Sequence, residues 1–177
     1  MKFNPLSLTG AYHIDIEAVT DERGFFARTW CQETADLLGL ETHFDQCSIS
    51  YNILKGTLRG MHLQRDPYGE AKLVRCTRGV VYDVLLDLRP HSATFKNWVG
   101  VELSADNYQM VYIPPGIAHG FITLADDSEV FYQISKPYRP EASIGVRWND
   151  PAFSISWPIE PTVLSERDKS YSEFCLE

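Results

Sequence analysis

The chain lacks the features that mark several large classes of protein. Its 16 lysines and arginines stand against 24 aspartates and glutamates, for a formal net charge of −8 over 177 residues. The basic excess typical of a nucleic-acid-binding protein is therefore missing. No apolar run approaches the roughly 18 residues of a membrane span, and the N-terminus lacks the apolar core of a signal peptide. These absences predict a cytoplasmic protein that binds neither nucleic acid nor membrane.

Cysteine is sparse, and no two cysteines have the Cys-x-x-Cys spacing of a metal or redox motif. The four cysteines, Cys31, Cys47, Cys76 and Cys175, predict scattered free thiols in a reducing compartment. Neither Cys47 nor Cys76 has the signature of an activated thiol, and the chain lacks a Gly-x-Ser-x-Gly motif. The sequence therefore does not indicate nucleophilic catalysis.

Short strand-like runs separated by turn residues are abundant. The run at 80–88 is apolar and β-branched apart from Asp83 and Asp87, and similar runs follow at 98–103, 110–113, 121–124, 129–135 and 144–148. One helix is predicted at 32–38, ended by Gly39, and a short helical turn after Ser165. Many short strands at this spacing predict an antiparallel sandwich or barrel. Because no linker or repeat interrupts the chain, residues 1–177 are predicted to form a single domain.

Two histidines stand in glycine-marked segments. His62 lies in GTLRGMHLQ at 56–64, and His119 lies in IPPGIAHGF at 113–121. An imidazole near Arg59 and Lys72 predicts a site that handles a proton beside an anionic substrate. The alternative is that both histidines belong to the core and donate to backbone carbonyls, and the neighbouring cations weigh against it.

A metal centre is a further interpretation of the same residues. Pro114-x-Gly116-x-x-His119 resembles the second motif of cupins, many of which bind metal. Such cupins normally carry a His-x-His pair in the first motif, where this chain has His62-Leu63-Gln64. Two imidazoles and one amide fall short of the usual three-ligand catalytic zinc or iron site. We therefore predict no metal.

Ordered motifs run from about residue 15 to residue 168, at 21–26, 56–64, 71–75, 83–89, 92–95, 113–121, 131–132, 148–151 and 164–168. As a set they resemble the dTDP-4-dehydrorhamnose 3,5-epimerases, cupin-fold enzymes of deoxysugar-nucleotide biosynthesis. The resemblance implies an all-β, cupin-type jelly-roll barrel with a few short helices. It also implies an isomerase that inverts C-3 and C-5 of a nucleoside-diphosphate 4-keto-6-deoxyhexose, dTDP-4-keto-6-deoxyglucose in the first place, without a cofactor.

The resemblance also implies roles for individual residues. His62 would be the general base, oriented by Asp168, and Tyr132 the acid on the opposite face of the sugar. Lys72 would face the keto oxygen, and His119 would lie in the sugar pocket. Arg23 and Arg59 would hold the diphosphate. Members of the family are homodimers in which an N-terminal strand crosses over, so Phe25 is expected to contact the nucleotide site of the neighbouring subunit.

Two segments differ from the family pattern at expected nucleotide and sugar contacts. The glutamate that usually follows Arg-Gly-x-Phe is Arg28 here, and the Gln-x-Asn-x-Ser segment begins with Gln46 but has Ser48 in place of asparagine. Gln46 is retained as a predicted substrate contact. The differences leave open a CDP-, GDP- or UDP-linked sugar and inversion of one carbon only. From other classes, a metal-dependent cupin and a non-catalytic sugar-binding cupin also stay open.

Overall fold

The computed structural model describes residues 1–175, and strands dominate it. In chain order the elements are β1 (Lys2–Pro5), β2 (Tyr12–Asp15), β3 (Val19–Asp21), β4 (Gly24–Phe26), α1 (Gln32–Leu37), β5 (Gln46–Asn52), β6 (Leu58–Gln64), β7 (Lys72–Arg78), β8 (Val80–Asp87), β9 (Trp98–Ser104), β10 (Met110–Ile113), β11 (Ile117–Thr123), β12 (Ser128–Ile134), β13 (Ser143–Gly145) and α2 (Glu166–Lys169).

Two antiparallel sheets form the barrel. One has six strands in the order β1-β2-β10-β7-β12-β5, and the other has five in the order β13-β6-β11-β8-β9. A separate two-stranded sheet pairs β3 with β4. The main core lies between the two large sheets, because its buried residues come from both, among them Val74 and Val130 of the first and Leu85 and Phe121 of the second. Burial of a side chain such as Phe121, which is 1% exposed, stabilises the fold by about 1.5–3 kcal/mol.

Alternation along β7 explains how a polar site forms at the edge of this core. Successive side chains of a strand point to opposite faces, so Lys72, Val74 and Cys76 share the inward face. Val74 and Cys76 belong to the main core. Leu73 points outward and packs in a second cluster with Trp30 and Phe44. The inward face therefore changes from apolar to charged at Lys72, where the strand begins.

Two glycines allow β6 and β11 to lie unusually close. A Cβ on Gly60, whose φ is +130°, would lie 2.5 Å from the Cα of Gly120, and a Cβ on Gly120 would lie 2.8 Å from the carbonyl oxygen of Arg59. Any other residue at either position would force the strands apart. The strand pairing also shifts register between His119 and Phe121. This contact places His62 beside His119.

Most predicted elements from residue 80 onward are confirmed, with boundary errors. The strands at 80–88, 98–103, 110–113 and 129–135 match β8, β9, β10 and β12 within one residue. The strand predicted at 121–124 begins earlier, at Ile117, and the run at 144–148 is a strand only at Ser143–Gly145. Both helices are present, and the Ser165 side chain caps α2 by accepting from the N–H of Asp168 at 3.1 Å. None of the helices in residues 1–175 has the length and apolar character needed to cross a membrane.

Candidate active site

A cavity of about 620 Å³ opens between the sheets, lined by β5, β6, β7, β11, β12 and the segment around α2. Six of the nine residues predicted from the sequence line it: Arg59, His62, Lys72, His119, Tyr132 and Asp168. They are far apart in the chain, and the antiparallel pairing of the strands brings them together.

His62 and Asp168 form a hydrogen-bonded pair. Nε2 of His62 lies 2.6 Å from Oδ1 of Asp168, and the His62 side chain is 36% exposed whereas Asp168 is 5% exposed. Burial by itself raises the pKa of Asp168, but the hydrogen bond and charge of His62, with Gly60 and Ser165, outweigh that effect and lower the pKa. Asp168 is therefore an ionised carboxylate that fixes the orientation of an imidazole open to the cavity.

His119 and Asp83 form a second such pair, but a buried one. Nε2 of His119 lies 2.7 Å from Oδ2 of Asp83, and the side chains are 6% and 0% exposed. The other oxygen, Oδ1 of Asp83, has no hydrogen-bond partner within the described residues. The ring of His119 also makes an edge contact with Tyr132, with centroids 6.0 Å apart. His119 is thus a fixed wall of the cavity.

Lys72 lies in the cavity as one half of a buried ion pair. Its Nζ is 2.8 Å from Oε1 of Glu70, and the two side chains are 11% and 5% exposed. The same ammonium donates a long hydrogen bond of 3.5 Å to the carbonyl oxygen of His62. A cation is therefore held next to the backbone of the exposed histidine.

Tyr132 lies on β12, opposite Val74 of β7 and Ser48 of β5. Burial raises the pKa of its phenol, the Asp83 carboxylate raises it further, and Arg59 opposes the change. The net effect keeps Tyr132 neutral, with a proton available for donation at any pH near 7.

Two arginines line the open part of the cavity. Nε of Arg59 donates to Oδ1 of Asn52 at 2.7 Å, which orients the guanidinium. Arg167 donates to the hydroxyl of Ser143 at 2.8 Å and to that of Tyr171 at 2.9 Å. Held guanidinium groups of this kind suit phosphate oxygens, which accept paired hydrogen bonds.

Three of the predicted residues lie outside the main cavity of the chain. Arg23 and Phe25 are on the exposed β3–β4 hairpin, where Arg23 pairs with Asp21 and Phe25 packs edge-on against Tyr108 at 5.0 Å. Gln46 lines a smaller adjoining cavity of about 190 Å³, which shares His62, Lys72 and Arg167 with the larger one. The structure thus brings six of the predicted residues together around one cavity, whereas Arg23 and Phe25 are not brought to it within one chain.

Sequence reasoning assigned no role to Glu70, Asp83, Asn52 or Arg167, although each contacts the site. The position of Asp83 could have indicated its role. A charged residue within the apolar run at 80–88 must have a polar partner once the strand is buried. Glu70 precedes Lys72 by two residues, a spacing that suits one face of an extended segment. Asn52 and Arg167 carry no such local signal.

Within residues 1–175, no three His, Cys, Asp or Glu side chains are grouped as metal ligands would be. His62 and His119 each have a carboxylate on Nε2, and Gln64 is occupied elsewhere, by the carbonyl of Tyr68 and the N–H of Arg139. The amide that stands where a metal-binding cupin has its second imidazole is therefore already engaged by backbone groups.

An antiparallel barrel that carries an imidazole–carboxylate pair, an ammonium and a phenol around one cavity defines an acid–base enzyme of the cupin class. The sequence model of the dTDP-4-dehydrorhamnose 3,5-epimerase family matches residues 5–175. The chain belongs to this family, whose members are isomerases. The predicted all-β, cupin-type jelly roll is confirmed by the same relationship.

Individual relatives match over nearly their whole length. The chain is 42% identical over 174 residues to dTDP-4-dehydrorhamnose 3,5-epimerase of Methanothermobacter thermautotrophicus, covering 96% of this chain and 92% of the relative. The crystal structure of the Elizabethkingia anophelis enzyme superimposes with a TM-score of 0.94 at 39% identity, covering 98% and 96%. That of the Bacillus anthracis enzyme, with TDP and PPi bound, gives 0.92 at 37% identity, covering 98% and 99%.

Proposed function

We propose that this enzyme inverts C-3 and C-5 of a dTDP-linked 4-keto-6-deoxyhexose. The observation that carries the proposal is the convergence on one cavity of the His62–Asp168 pair, Lys72 and Tyr132. The TDP bound to the Bacillus anthracis relative supports a thymidine nucleotide as the carrier of the sugar.

The base in this proposal is His62. Histidine is the side chain that most often serves as a general base in enzymes that work near neutral pH. Asp168 holds the ring and stabilises the imidazolium that forms, as the carboxylate does in hydrolase triads. The exposed edge of His62 gives a substrate access, whereas the buried His119 offers little.

Lys72 stabilises the intermediate. When His62 takes the proton from the carbon beside the ketone, the electron pair of the C–H bond moves to the keto oxygen and forms an enolate. The carbon acid is many pKa units weaker than imidazolium, and each unit costs about 1.36 kcal/mol. The ammonium of Lys72 offsets part of this cost, since one well-placed donor in a site shielded from water contributes about 3–4 kcal/mol.

Tyr132 completes the inversion. Its phenol gives a proton to the opposite face of the carbon while the enolate electron pair returns to that carbon and the ketone reforms. The phenolate then takes a proton from solvent and the imidazolium of His62 releases one, which restores both residues. His62 and Tyr132 stand on strands of different sheets, β6 and β12, and both line the cavity. A sugar bound between them has one residue on each face, as inversion requires.

The diphosphate lies against the arginines in this proposal. Arg59 and Arg167 come from the same subunit, and Gln46 contacts the substrate from the adjoining cavity. We further propose a homodimer in which the β3–β4 hairpin places Arg23 and Phe25 in the nucleotide site of the second subunit. The exposure of that hairpin and its separation from its own cavity support the proposal.

A cytoplasmic location is also part of the proposal. The four cysteines are free thiols, which suits a reducing compartment.

Incubation with 4-keto-6-deoxy sugars in deuterium oxide tests the function. With dTDP-4-keto-6-deoxyglucose, we expect uptake of solvent deuterium at C-3 and C-5 and formation of the inverted product, followed by NMR. CDP-, GDP- and UDP-linked sugars serve as competitors and should exchange more slowly. Exchange at one carbon would make the protein a single-carbon epimerase, and a lack of exchange with every sugar would contradict the proposal.

A further inference from the structure

We propose that Glu70 is a positioning residue for Lys72 and that it sets the place of the ammonium relative to His62. The inference rests on the proposed function, in which Lys72 stabilises the enolate. Glu70 does not line the larger cavity where the sugar is proposed to bind, and both oxygens of its buried carboxylate are already engaged, one by the ammonium of Lys72 and the other by the N–H of Gln64. It therefore acts on the reaction through Lys72.

The carboxylate of Glu70 joins two strands of the site. Oε1 is 2.8 Å from Nζ of Lys72 at the start of β7, and Oε2 accepts from the N–H of Gln64 at 3.1 Å. Gln64 lies in β6, two residues after His62. The side chain of Glu70 thus links β6, which carries the proposed base His62, to Lys72 at the start of β7.

The ammonium of Lys72 has three N–H donors. One points to Glu70, and a second points to the carbonyl oxygen of His62 at 3.5 Å. With two donors directed to fixed acceptors, the third has a defined direction, and Lys72 itself lines the large cavity. A donor that is already aimed at the developing charge needs no reorganisation during the reaction.

Burial makes the pair mutually dependent. Glu70 is 5% exposed and Lys72 is 11% exposed, and a buried charge that loses its partner is strongly destabilised. The ammonium of lysine stands on a flexible four-carbon stem, which would otherwise adopt many conformations. Glu70 therefore selects one of them, and displacement of the ammonium by about 1 Å would cost roughly 100-fold in rate.

A double-mutant cycle tests the inference on the full-length protein. The variants are Glu70→Gln, Lys72→Met and the double variant, and the rate of deuterium uptake into dTDP-4-keto-6-deoxyglucose is measured for each. Glu70→Gln keeps the shape of the side chain but removes its charge. We expect kcat to fall about 10- to 100-fold, with KM and the Kd for TDP changed less than about twofold. In the Lys72→Met background, Glu70→Gln should cause no further loss.

Two further variants serve as a control for the removal of a carboxylate charge and as a second test of Glu70. Glu173→Gln removes the charge from an exposed pair with Arg147, at 2.9 Å, and should retain the wild-type rate. Glu70→Asp keeps the charge but draws it back by one methylene, so it should lose kcat while it binds TDP normally. This variant replaces Glu70→Gln if the latter folds poorly.

The outcomes separate the two proposals. A wild-type rate in both Glu70 variants, or the same fold-loss with and without Lys72, would show that Glu70 has no role through Lys72. In either case the proposed function stands. If the wild-type protein exchanges no hydrogen with any keto sugar, the proposed function fails and this inference fails with it.

Discussion

His62 and His119 are direct neighbours across two antiparallel strands, paired Cα to Cα between β6 and β11. Each ring nitrogen Nε2 is held by a different carboxylate, at 2.6 Å from Asp168 and 2.7 Å from Asp83. The chemistry of the two pairs is alike, but their exposure differs, at 36% and 6% for the imidazole side chains. The exposure of the imidazole to the cavity, rather than the residue type, therefore distinguishes the proposed base His62 from His119, which forms the wall of the cavity.

Replacement of Tyr132 by phenylalanine should separate hydrogen exchange from inversion. His62 in this variant can still remove a proton and return one to the same face, so deuterium uptake should continue while little inverted product forms. NMR of the recovered sugar measures both quantities. His62→Ala is the control and should lose both. Inversion of both carbons at the wild-type rate in Tyr132→Phe would mean that the phenol serves packing alone.

Removal of the Arg59 side chain should weaken nucleotide binding. The guanidinium lines the cavity and is oriented by Asn52, and a hydrogen bond to a charged group contributes about 1.5–3 kcal/mol. Calorimetry with TDP should show a loss of that size in Arg59→Ala. Arg65→Ala, at an exposed arginine outside the cavity, is the matched control. Equal affinities of the two variants would assign Arg59 a structural role.

Exhaustive chelation should leave the activity intact. The first motif offers Gln64 where a metal-binding cupin has a second imidazole, and that amide binds backbone groups instead. Deuterium uptake is measured before and after treatment with chelator, and again after addition of single divalent ions. Loss of uptake that one particular ion restores would revive the metal-dependent alternative.

The sequence predicts the architecture better than it predicts the partners within the site. Strand periodicity is local, so β8 to β10 and β12 follow from the residues themselves. The contact between His62 and Asp168 joins residues 106 positions apart, and only the family resemblance indicated it. Glu70 was missed because its spacing of two residues from Lys72 is the sole local sign of their contact, and spacing alone does not show that the pair is buried.

Acid should weaken the structure partly through Asp87, at the end of β8. Burial alone raises the pKa of Asp87, but hydrogen bonds from Arg89, Ser92 and Thr94 outweigh it and hold the pKa well below its ordinary value. A lowered folded-state pKa contributes stability that is complete above the unfolded pKa of about 3.9 and is lost as the pH falls through the folded value.

Asp87→Asn should therefore lower the free energy of unfolding by about 1–3 kcal/mol at pH 7. The difference from wild type should shrink as the pH falls below about 4. Urea unfolding at several pH values measures both effects. Asp106→Asn, at an exposed site, should change neither. A difference that stays constant down to pH 2 would show that the charge of Asp87 is not what stabilises this end of the strand.

Mixed dimers should show whether Arg23 acts in the neighbouring subunit. Arg23 is 82% exposed on its hairpin and lies outside the cavity of its own chain. We expect Arg23→Ala to bind TDP weakly and His62→Ala to be inactive when each is assayed alone. If the protein is the proposed homodimer, half of the dimers are mixed after the two variants are unfolded and refolded together. Each mixed dimer then has one site with an intact His62 from one subunit and an intact Arg23 from the other.

If Arg23 acts across the interface, the mixture should recover about a quarter of the wild-type sites. Deuterium uptake at a low concentration of substrate measures this recovery, because only complete sites bind well there. The control is a mixture of Arg59→Ala with His62→Ala. Arg59 and His62 line the same cavity, so no new complete site forms and the activity should stay at the average of the two variants. Equal behaviour of the two mixtures would place Arg23 outside the neighbouring site and would remove the main support for a shared active site.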